Sequence, residues 1–230
     1  MSTLTLVRHG QATPFEKVTD RLSQTGVQQS QLLGEYWRRH GVRFHAVVLG
    51  SLQRHRQTLE ALSLGAEARV DPGWNEYRAD EIIAKLSPVL EAQDAGYARL
   101  ATASRDGMQG PERNRHFQKM LEVLMDAWLT GAVTADAVEP FVDFQSRVRA
   151  ALQAVLQGPS GRDVVVVTSG GPIGLCVQQA LNSPTQAFLD VNWRMRNTSI
   201  TEFTFSSSRF TLDTMNSLPH LEDRSLWTWR

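Results

Sequence analysis

The sequence has only one cysteine among its 230 residues, Cys176, so an intramolecular disulfide is excluded. So little cysteine suits a reducing compartment. Long apolar runs are also missing: no segment approaches the roughly 18 to 20 residues that a membrane-spanning helix needs, and the N-terminus lacks a basic stretch followed by an apolar one. These absences predict a soluble, cytoplasmic protein with no membrane contact.

A net charge is lacking as well, because 24 Lys and Arg residues balance 24 Asp and Glu residues. No overall field favours nucleic acid or an anionic membrane surface, and any affinity for phosphate has to come from a local cluster. What the chain does have is 41% hydrophobic residues, enough for one substantial core. We predict one domain over residues 1–230 that binds neither nucleic acid nor membrane.

Three β-favouring runs each end in a turn of small or polar residues. These runs are Thr3–Val7, Phe44–Leu49 and Asp163–Val167. Helical patterns follow the second turn, over about 53–64, and the third, where Pro172 fits a first helical turn. This order is typical of an α/β fold in which the carboxyl ends of parallel strands form the ligand site.

The rest of the chain is mainly helical. A helix over about 26–40 can be capped by Ser23, and helix-like segments fill about 77–140, including 112–129. The remaining elements are a helix over about 145–157, two paired edge strands over about 199–205 and 209–213, and a Trp-containing tail over 216–230. The predicted fold is an α/β three-layer sandwich with a mostly parallel central sheet, helices on both faces and a helical insertion over the strand ends.

Arg8-His9-Gly10 is the segment with the clearest chemistry. A neutral imidazole is a competent nucleophile near pH 7, a guanidinium offers forked donors that match phosphate, and a glycine lets the backbone turn closely around a ligand. The alternative is a chance tripeptide, in which Arg8 is solvated and His9 is hydrogen-bonded in a turn. On its own the tripeptide leaves both interpretations open.

Four further segments, taken together with Arg8-His9-Gly10, give a family resemblance. They are Leu22–Gln29, Ser51–Thr58, Asn75–Tyr77 and Asn197–Ile200, the last of which is expected to form a turn. Together they resemble the histidine phosphatase superfamily, with its phosphoglycerate mutase-like fold. The segment over 77–140 adds no recognisable motif and gives no information on the substrate.

This resemblance implies roles for individual residues. It implies that His9 attacks phosphorus and forms a phosphohistidine, while Arg8 holds the phosphoryl oxygens. It identifies Arg54 as the second phosphate-binding arginine, with Arg56 as the competitor and a solvated helical arginine as the alternative. Glu76 lies where many family phosphatases keep the general acid that protonates the leaving oxygen; the alternative is an exposed loop glutamate.

Ser169 breaks the family pattern. The family carries a second histidine in the turn after the third strand, and Ser169 occupies its position. Losing a charged hydrogen-bond donor costs roughly 1.5 to 3 kcal/mol if nothing compensates. Compensation can come from the first amides of the next helix, near Gly170, or from His55 or His220, for which a structural role is the alternative. We predict that Ser169 and Gly170 bind phosphate.

The implied function is a phosphatase, with three alternatives. A catalytically weak or inactive member that binds a phosphorylated ligand is the first, and Ser169 is its main support. Phosphoglycerate mutase-type transfer is the second; mutases show Glu-Ser and then Trp-Asn after Arg-His-Gly, whereas Gln11–Phe15 here favours hydrolysis. A hydrolase with Ser169 as nucleophile is the third, although a nucleophile elbow needs glycine where this chain has Val167.

No cofactor is implied. Guanidinium groups supply the positive charge that phosphoryl transfer needs, so neither a metal nor another cofactor is expected. The expected partner is a small phosphorylated substrate. Trp227 and Trp229 are candidates for a homodimer contact, and packing of the tail is the alternative role for them.

Overall fold

The computed structural model describes residues 1–13, 20–105 and 111–229 of the chain. In this part it contains six strands: β1 Ser2–Arg8, β2 Ala46–Leu49, β3 Ala68–Val70, β4 Asp163–Thr168, β5 Ile200–Phe205 and β6 Phe210–Ser217. It also contains eight α-helices: α1 Gln24–Arg39, α2 Gln53–Leu62, α3 Ala79–Gln93, α4 Ala95–Arg105, α5 Pro111–Thr130, α6 Phe141–Leu156, α7 Gly170–Ala180 and α8 Ala187–Arg194. Pro14 and Phe15, part of the segment that favours hydrolysis over mutase chemistry, lie outside the described residues.

All six strands form one sheet in the order β3-β2-β4-β1-β5-β6. The first four strands of this order are parallel to one another, whereas β5 is antiparallel to β1 and β6 is antiparallel to β5. The central strand β4 is a run of four buried valines, Val164–Val167, as expected for a strand covered on both faces. The predicted α/β fold with a mostly parallel sheet is confirmed.

Helices cover both faces of this sheet. On one face, Leu33 and Trp37 of α1 and Leu62 of α2 pack against Val165 and Val167. On the other face, residues of α6 and α7 pack against the alternate side chains of β1 and β4; they are Ala151, Leu152, Val155, Ile173, Cys176 and Val177, with Leu4, Leu6, Val164 and Val166. Side chains alternate between two cores because successive strand residues point to opposite faces.

The carboxyl ends of β1, β2 and β4 meet at one edge of the sheet. Arg8 is paired with Thr168, and Leu49 is paired with Val167. The residues that follow these strands, His9, Gly50 and Ser169, therefore lie side by side. The register of the sheet brings the sequence segments of the candidate site together.

The predicted helix boundaries agree with the structure within a few residues. Ser23 caps α1 by accepting from the Gly26 N–H at 3.1 Å, and Gly41 follows the helix with a φ of 66°, a left-handed conformation that favours glycine. The α2 helix ends two residues before the predicted limit of about 64, and α6 begins at Phe141 instead of about 145.

Four elements differ from the prediction. Strand β3 and helix α8 were not predicted, because three and eight residues are too few to establish a periodic pattern. The two late strands are not both at the edge: β5 pairs with β1 and β6, so only β6 is at that edge. In addition, β6 continues to Ser217, into the segment predicted as tail.

The chain divides into two compact units, residues 1–76 with 147–230, and residues 77–146. The second unit contains α3, α4, α5 and the start of α6. Its core includes four aromatic rings whose centroids lie between 5.2 and 6.3 Å apart where they make contact; they belong to Tyr77, Trp128, Phe141 and Phe144. In the described part of the chain, no helix is long and apolar enough to cross a membrane.

Candidate active site

His9 is fixed at the end of β1 by its own backbone. Its N–H donates to the Thr168 carbonyl at 2.9 Å, at the end of β4. Its carbonyl accepts from the Asn197 side chain at 3.1 Å and from the Thr198 N–H at 3.3 Å, just before β5. Both neighbouring strands therefore hold the residue, and only 7% of its surface is exposed.

One hydrogen bond determines the tautomer of the His9 ring. The Nδ1 atom lies 2.7 Å from the Gly10 carbonyl oxygen, which can only accept. Nδ1 must therefore carry the proton, and Nε2 of the neutral ring keeps its lone pair. A ring in this state is ready to attack an electrophile through Nε2.

The surroundings of His9 keep the ring neutral. Burial, followed by the positive charges of Arg54 and Arg8 and by the nearby His55, holds the pKa of His9 well below its usual 6.5. The Gly10 hydrogen bond opposes this shift but does not reverse it. Cations near an uncharged imidazole suit a site that binds an anion and uses a nitrogen nucleophile.

Arg54 is oriented by an acidic residue that the sequence analysis did not identify. The Arg54 Nη1 atom donates to Asp20 Oδ1 at 2.9 Å, and the other carboxylate oxygen accepts from the Gln53 N–H at 2.8 Å. Asp20 thus caps the start of α2 and holds the guanidinium at the same time. Arg8 is held by a hydrogen bond to the Met195 carbonyl. Both arginines of the prediction act electrostatically on His9, whereas Arg56 is exposed.

If Arg54 binds phosphate as predicted, replacing it with lysine should reduce kcat/KM for a phosphomonoester by about 10- to 100-fold, because lysine lacks the forked donors with which an arginine can bind Asp20 and a phosphate together. The same change at exposed Arg56, two residues along the helix, should alter kcat/KM by no more than about twofold. Steady-state kinetics of the two variants compare the positions directly. Equal effects of the two substitutions would contradict the prediction that Arg54, and not Arg56, binds phosphate.

Glu76 is positioned by a partly buried loop and by the start of α7. Its Oε2 atom accepts from the Gly171 N–H at 3.1 Å. The Arg147 guanidinium donates to the carbonyls of Gly73, Asn75 and Glu76 at 3.2, 2.7 and 3.3 Å, and so fixes the backbone of the loop. The start of α7 thus binds a carboxyl oxygen, a kind of ligand that its amides and dipole favour.

Ser169 and Gly170 follow β4 as predicted. A Cβ on Gly170 would lie 2.6 Å from Asn192 Oδ1, so a side chain at this position would displace the Asn192 amide. The Ser169 hydroxyl lies 2.7 Å from His55 Nε2, and both residues are fully buried. Of the two histidines proposed as compensation for Ser169, His55 is therefore the one in contact with it.

Asn197 contributes more than the turn that the sequence predicts. Its side-chain NH2 group binds the His9 carbonyl, while its Oδ1 accepts from the Thr228 hydroxyl at 2.9 Å. Gln29 also binds Thr228, at 2.9 Å, and accepts from the Gln11 N–H at 2.9 Å. The residues on both sides of Gly10 are thereby connected to the C-terminal segment.

His220 has a structural role beside this network. Its Nε2 atom lies 2.9 Å from the Thr198 hydroxyl, and burial lowers the pKa of the ring from 6.5 to about 4. The native state therefore keeps His220 neutral at a pH where the unfolded chain binds a proton. Its contribution to stability is complete above pH 6.5 and is lost as the pH falls towards 4.

Replacing His220 with glutamine, which keeps a nitrogen near the Nε2 position, should remove this pH dependence. Between pH 7 and pH 5 the free energy of unfolding of the wild type is expected to fall by about 2 kcal/mol more than that of the variant. Urea unfolding at both pH values measures the difference. Identical losses would show that His220 titrates alike in the folded and unfolded states.

Most of the predicted site residues meet at the carboxyl edge of the sheet. Direct contacts or charge interactions link five of them there, and Glu76 joins them at the start of α7; the five are Arg8, His9, Arg54, Ser169 and His55. Asp20, Arg147 and the side chain of Asn197 were missed. Asp20 and Arg147 belong to no sequence motif. Their roles become visible only through contacts with residues that are distant in the chain.

The sequence profile of the histidine phosphatase superfamily (branch 1) matches residues 4–218. A probable phosphoglycerate mutase GpmB from Erwinia tasmaniensis is 24% identical over 234 residues, which cover 96% of this chain and 95% of the relative. The profile match thus extends from β1 to the end of β6.

Solved structures of similar fold were also found. A phosphoserine phosphatase variant from Entamoeba histolytica, in complex with phosphoserine, gives a TM-score of 0.66 at 17% identity, covering 96% of this chain and all of that one. A mycobacterial glucosyl-3-phosphoglycerate phosphatase with inorganic phosphate gives 0.63 at 23% identity, covering 96% and 99%. At these identities the likeness concerns the fold.

Proposed function

The chain belongs to the histidine phosphatase superfamily (branch 1), and from this premise we propose that it hydrolyses a small phosphomonoester through a phosphohistidine at His9. The observation that carries the proposal is the state of the His9 ring. A neutral imidazole with Nδ1 bound to the Gly10 carbonyl, and with Arg54 and Arg8 as the nearby charges, has its Nε2 lone pair free for phosphorus.

The first half of the reaction transfers the phosphoryl group to the enzyme. Arg8 and Arg54 bind the phosphate oxygens and stabilise the charge that spreads over them in the transition state. His9 Nε2 forms a bond to phosphorus as the bond to the ester oxygen breaks. The leaving oxygen takes a proton from Glu76 and departs as an alcohol.

In the second half, water attacks the phosphohistidine. Glu76, now ionised, accepts a proton from this water, and the bond between phosphorus and Nε2 breaks. Inorganic phosphate leaves, and His9 returns to its neutral form with Nδ1 still bound to Gly10. The positive charge comes from guanidinium groups, so no step of the proposed cycle uses a metal.

The proton on Glu76 depends on the substrate. The Glu76 Oε2 atom accepts from the Gly171 N–H, at the helix start where the phosphate is also expected to bind. A phosphate dianion bound to Arg8 and Arg54 places negative charge nearby and competes for the helix N-terminus. Substrate binding itself then favours the protonated carboxyl that the first half of the reaction needs.

Phosphoglycerate mutase-type transfer is the second candidate, favoured by the relative from Erwinia tasmaniensis. Both reactions share the phosphohistidine and differ in its acceptor, water for a phosphatase and a substrate hydroxyl for a mutase. Phosphoserine and 3-phosphoglycerate are reasonable members of a substrate panel, because similar folds bind or process compounds of this class.

The test is phosphate release from a panel of small phosphomonoesters in the presence of EDTA. We expect turnover of at least one compound, together with an acid-labile phosphoenzyme when the reaction is quenched. Isomerisation of a phosphoglycerate without phosphate release would favour the mutase. Binding of inorganic phosphate without turnover of any compound would favour an inactive ligand-binding member and contradict the proposal.

A further inference from the structure

The Ser169 side chain does not do what a serine at a helix start ordinarily does. Ser169 is the N-cap of α7, with extended φ and ψ of −124° and 175°, but within the described residues its hydroxyl makes no capping bond. Ser23, in the same position at α1, accepts from the Gly26 N–H at 3.1 Å. A serine that gives up this stabilising contact has another partner, which is His55 Nε2 at 2.7 Å.

Three positions from separate parts of the sheet edge fit together around this pair. Gly50 follows β2, His55 lies in the first turn of α2, and Ser169 follows β4. A Cβ on Gly50 would lie 2.3 Å from His55 Nδ1, so the glycine makes the room that the ring occupies. Both members of the pair are fully buried, which fixes their geometry.

The pair lies beside the nucleophile. The ring centroids of His55 and His9 are 5.8 Å apart, and the His9 N–H binds the carbonyl of Thr168, the residue next to Ser169. Burial and the charge of Arg54 keep the pKa of His55 well below 6.5, so this second ring is neutral as well. Two neutral imidazoles and a hydroxyl therefore share the strand ends.

We propose that His55 and Ser169 act as one unit that supplies a hydrogen-bond donor to the phosphoryl group on His9. In this unit Ser169 is the donor, and His55 is a positioning residue that orients the hydroxyl. The inference rests on the proposed function of His9. It also means that His55, in α2, compensates for the histidine that Ser169 replaces in the turn after β4.

The positions of the protons are consistent with this role. If His55 Nε2–H donates to Ser169 Oγ, the hydroxyl proton is free to bind a phosphoryl oxygen. Without a ligand, the hydrogen bond between the ring and the Gly50 backbone, which raises the pKa of His55 against the larger effect of burial, favours a proton on Nδ1. A phosphoryl oxygen beside Ser169 favours the tautomer with the proton on Nε2, because it offers the hydroxyl proton a charged acceptor.

Steric fit gives the unit a distinctive mutational pattern. A histidine introduced at position 169 alone would have to enter space within 2.7 Å of the existing His55 ring. Ser169→His should therefore not restore a better site. The combination His55→Ala with Ser169→His removes one ring and adds the other, which leaves a single imidazole beside His9.

The experiment compares kinetics of p-nitrophenyl phosphate hydrolysis for these variants. His55→Ala and Ser169→Ala should each reduce kcat by about 10- to 100-fold with little change in KM, because the hydrogen bond to the phosphoryl group is used in the transition state. The variant that combines His55→Ala with Ser169→Ala should be no less active than either single variant. His55→Gln, which keeps a donor near Nε2, should recover part of the loss. The variant that combines His55→Ala with Ser169→His should be more active than Ser169→His alone and than His55→Ala alone.

Separate outcomes test the inference and the function beneath it. His9→Asn tests the function: if it retains turnover, the phosphohistidine proposal fails whatever residues 55 and 169 do. If His9→Asn is inactive while His55→Ala and Ser169→Ala stay within about twofold of wild type, the inference is wrong and the function stands. If the wild type hydrolyses nothing, calorimetric binding of orthovanadate decides, and unchanged affinity in both alanine variants overturns the unit. Urea unfolding of every variant identifies losses due to misfolding.

Discussion

Replacing His9 with alanine is expected to lower phosphate release by a factor of about 10⁴ or more, because the covalent route is lost with its nucleophile. The acid-labile phosphoenzyme should disappear in the same variant. Inorganic phosphate should still bind, since Arg8 and Arg54 remain. Quenched-flow measurement of the phosphoenzyme and a steady-state phosphate assay together read out both effects.

Two controls separate loss of the nucleophile from loss of structure. His9→Asn keeps an N–H donor close to the Nδ1 position for the Gly10 carbonyl but has no counterpart of Nε2, so it should be as inactive as the alanine variant. His40→Ala, at an exposed position at the end of α1, should retain full activity. Activity of His9→Ala within tenfold of wild type would place the nucleophile elsewhere, and labelling of Ser169 by a fluorophosphonate probe would then identify the next candidate.

Replacing Gly26 with alanine is expected to destabilise the fold by about 3 kcal/mol or more and to impair catalysis in the molecules that remain folded. The added Cβ would lie 2.1 Å from the Gln11 carbonyl oxygen and 2.7 Å from its nitrogen. Both are backbone atoms two residues from His9, so they can move away only by shifting the nucleophile segment. Urea unfolding and kcat measured on the same preparation record both consequences.

Gly96 offers the matched control for this substitution. It lies in the first turn of α4, and a Cβ there would meet only the Asp94 carboxylate, at 3.0 Å, which accepts from the Gly96 and Tyr97 N–H groups. Gly96→Ala should leave stability unchanged or raise it by up to about 1 kcal/mol, because alanine favours the helix. If both alanine variants were equally stable, the close backbone approach at Gly26 would have no energetic consequence.

The α/β fold could be predicted because its signals are local. Valine-rich β4, the small residues after each parallel strand and the caps of α1 all lie within short stretches of sequence. Strand β3 has three residues and gains its place only by pairing with β2. The continuation of β6 likewise depends on its partner β5, which no local pattern reveals.

The site could be predicted only as far as motifs reach. Arg8, His9 and Arg54 belong to recognisable segments, and the fold places them at one edge of the sheet. Asp20 was not identified because its role depends on contact with Arg54, which is 34 residues away in the chain. The contact between His55 and Ser169 spans 114 residues, and sequence alone offers His55 and His220 as equal candidates. Packing against Thr198 removes His220 from the choice.

The hydrogen bonds from Arg147 to the loop that ends at Glu76 have a consequence for evolution. The chain leaves the loop at Glu76 and returns at Arg147, whose guanidinium holds the carbonyls of that same loop. Everything between these two residues is thus attached at two neighbouring points. Segments attached in this way tolerate insertion, deletion and exchange, because the ends that must be joined are already close. Residues 77–146 can therefore diverge in length and sequence, or be grafted from a relative, while the carboxylate of Glu76 keeps its place.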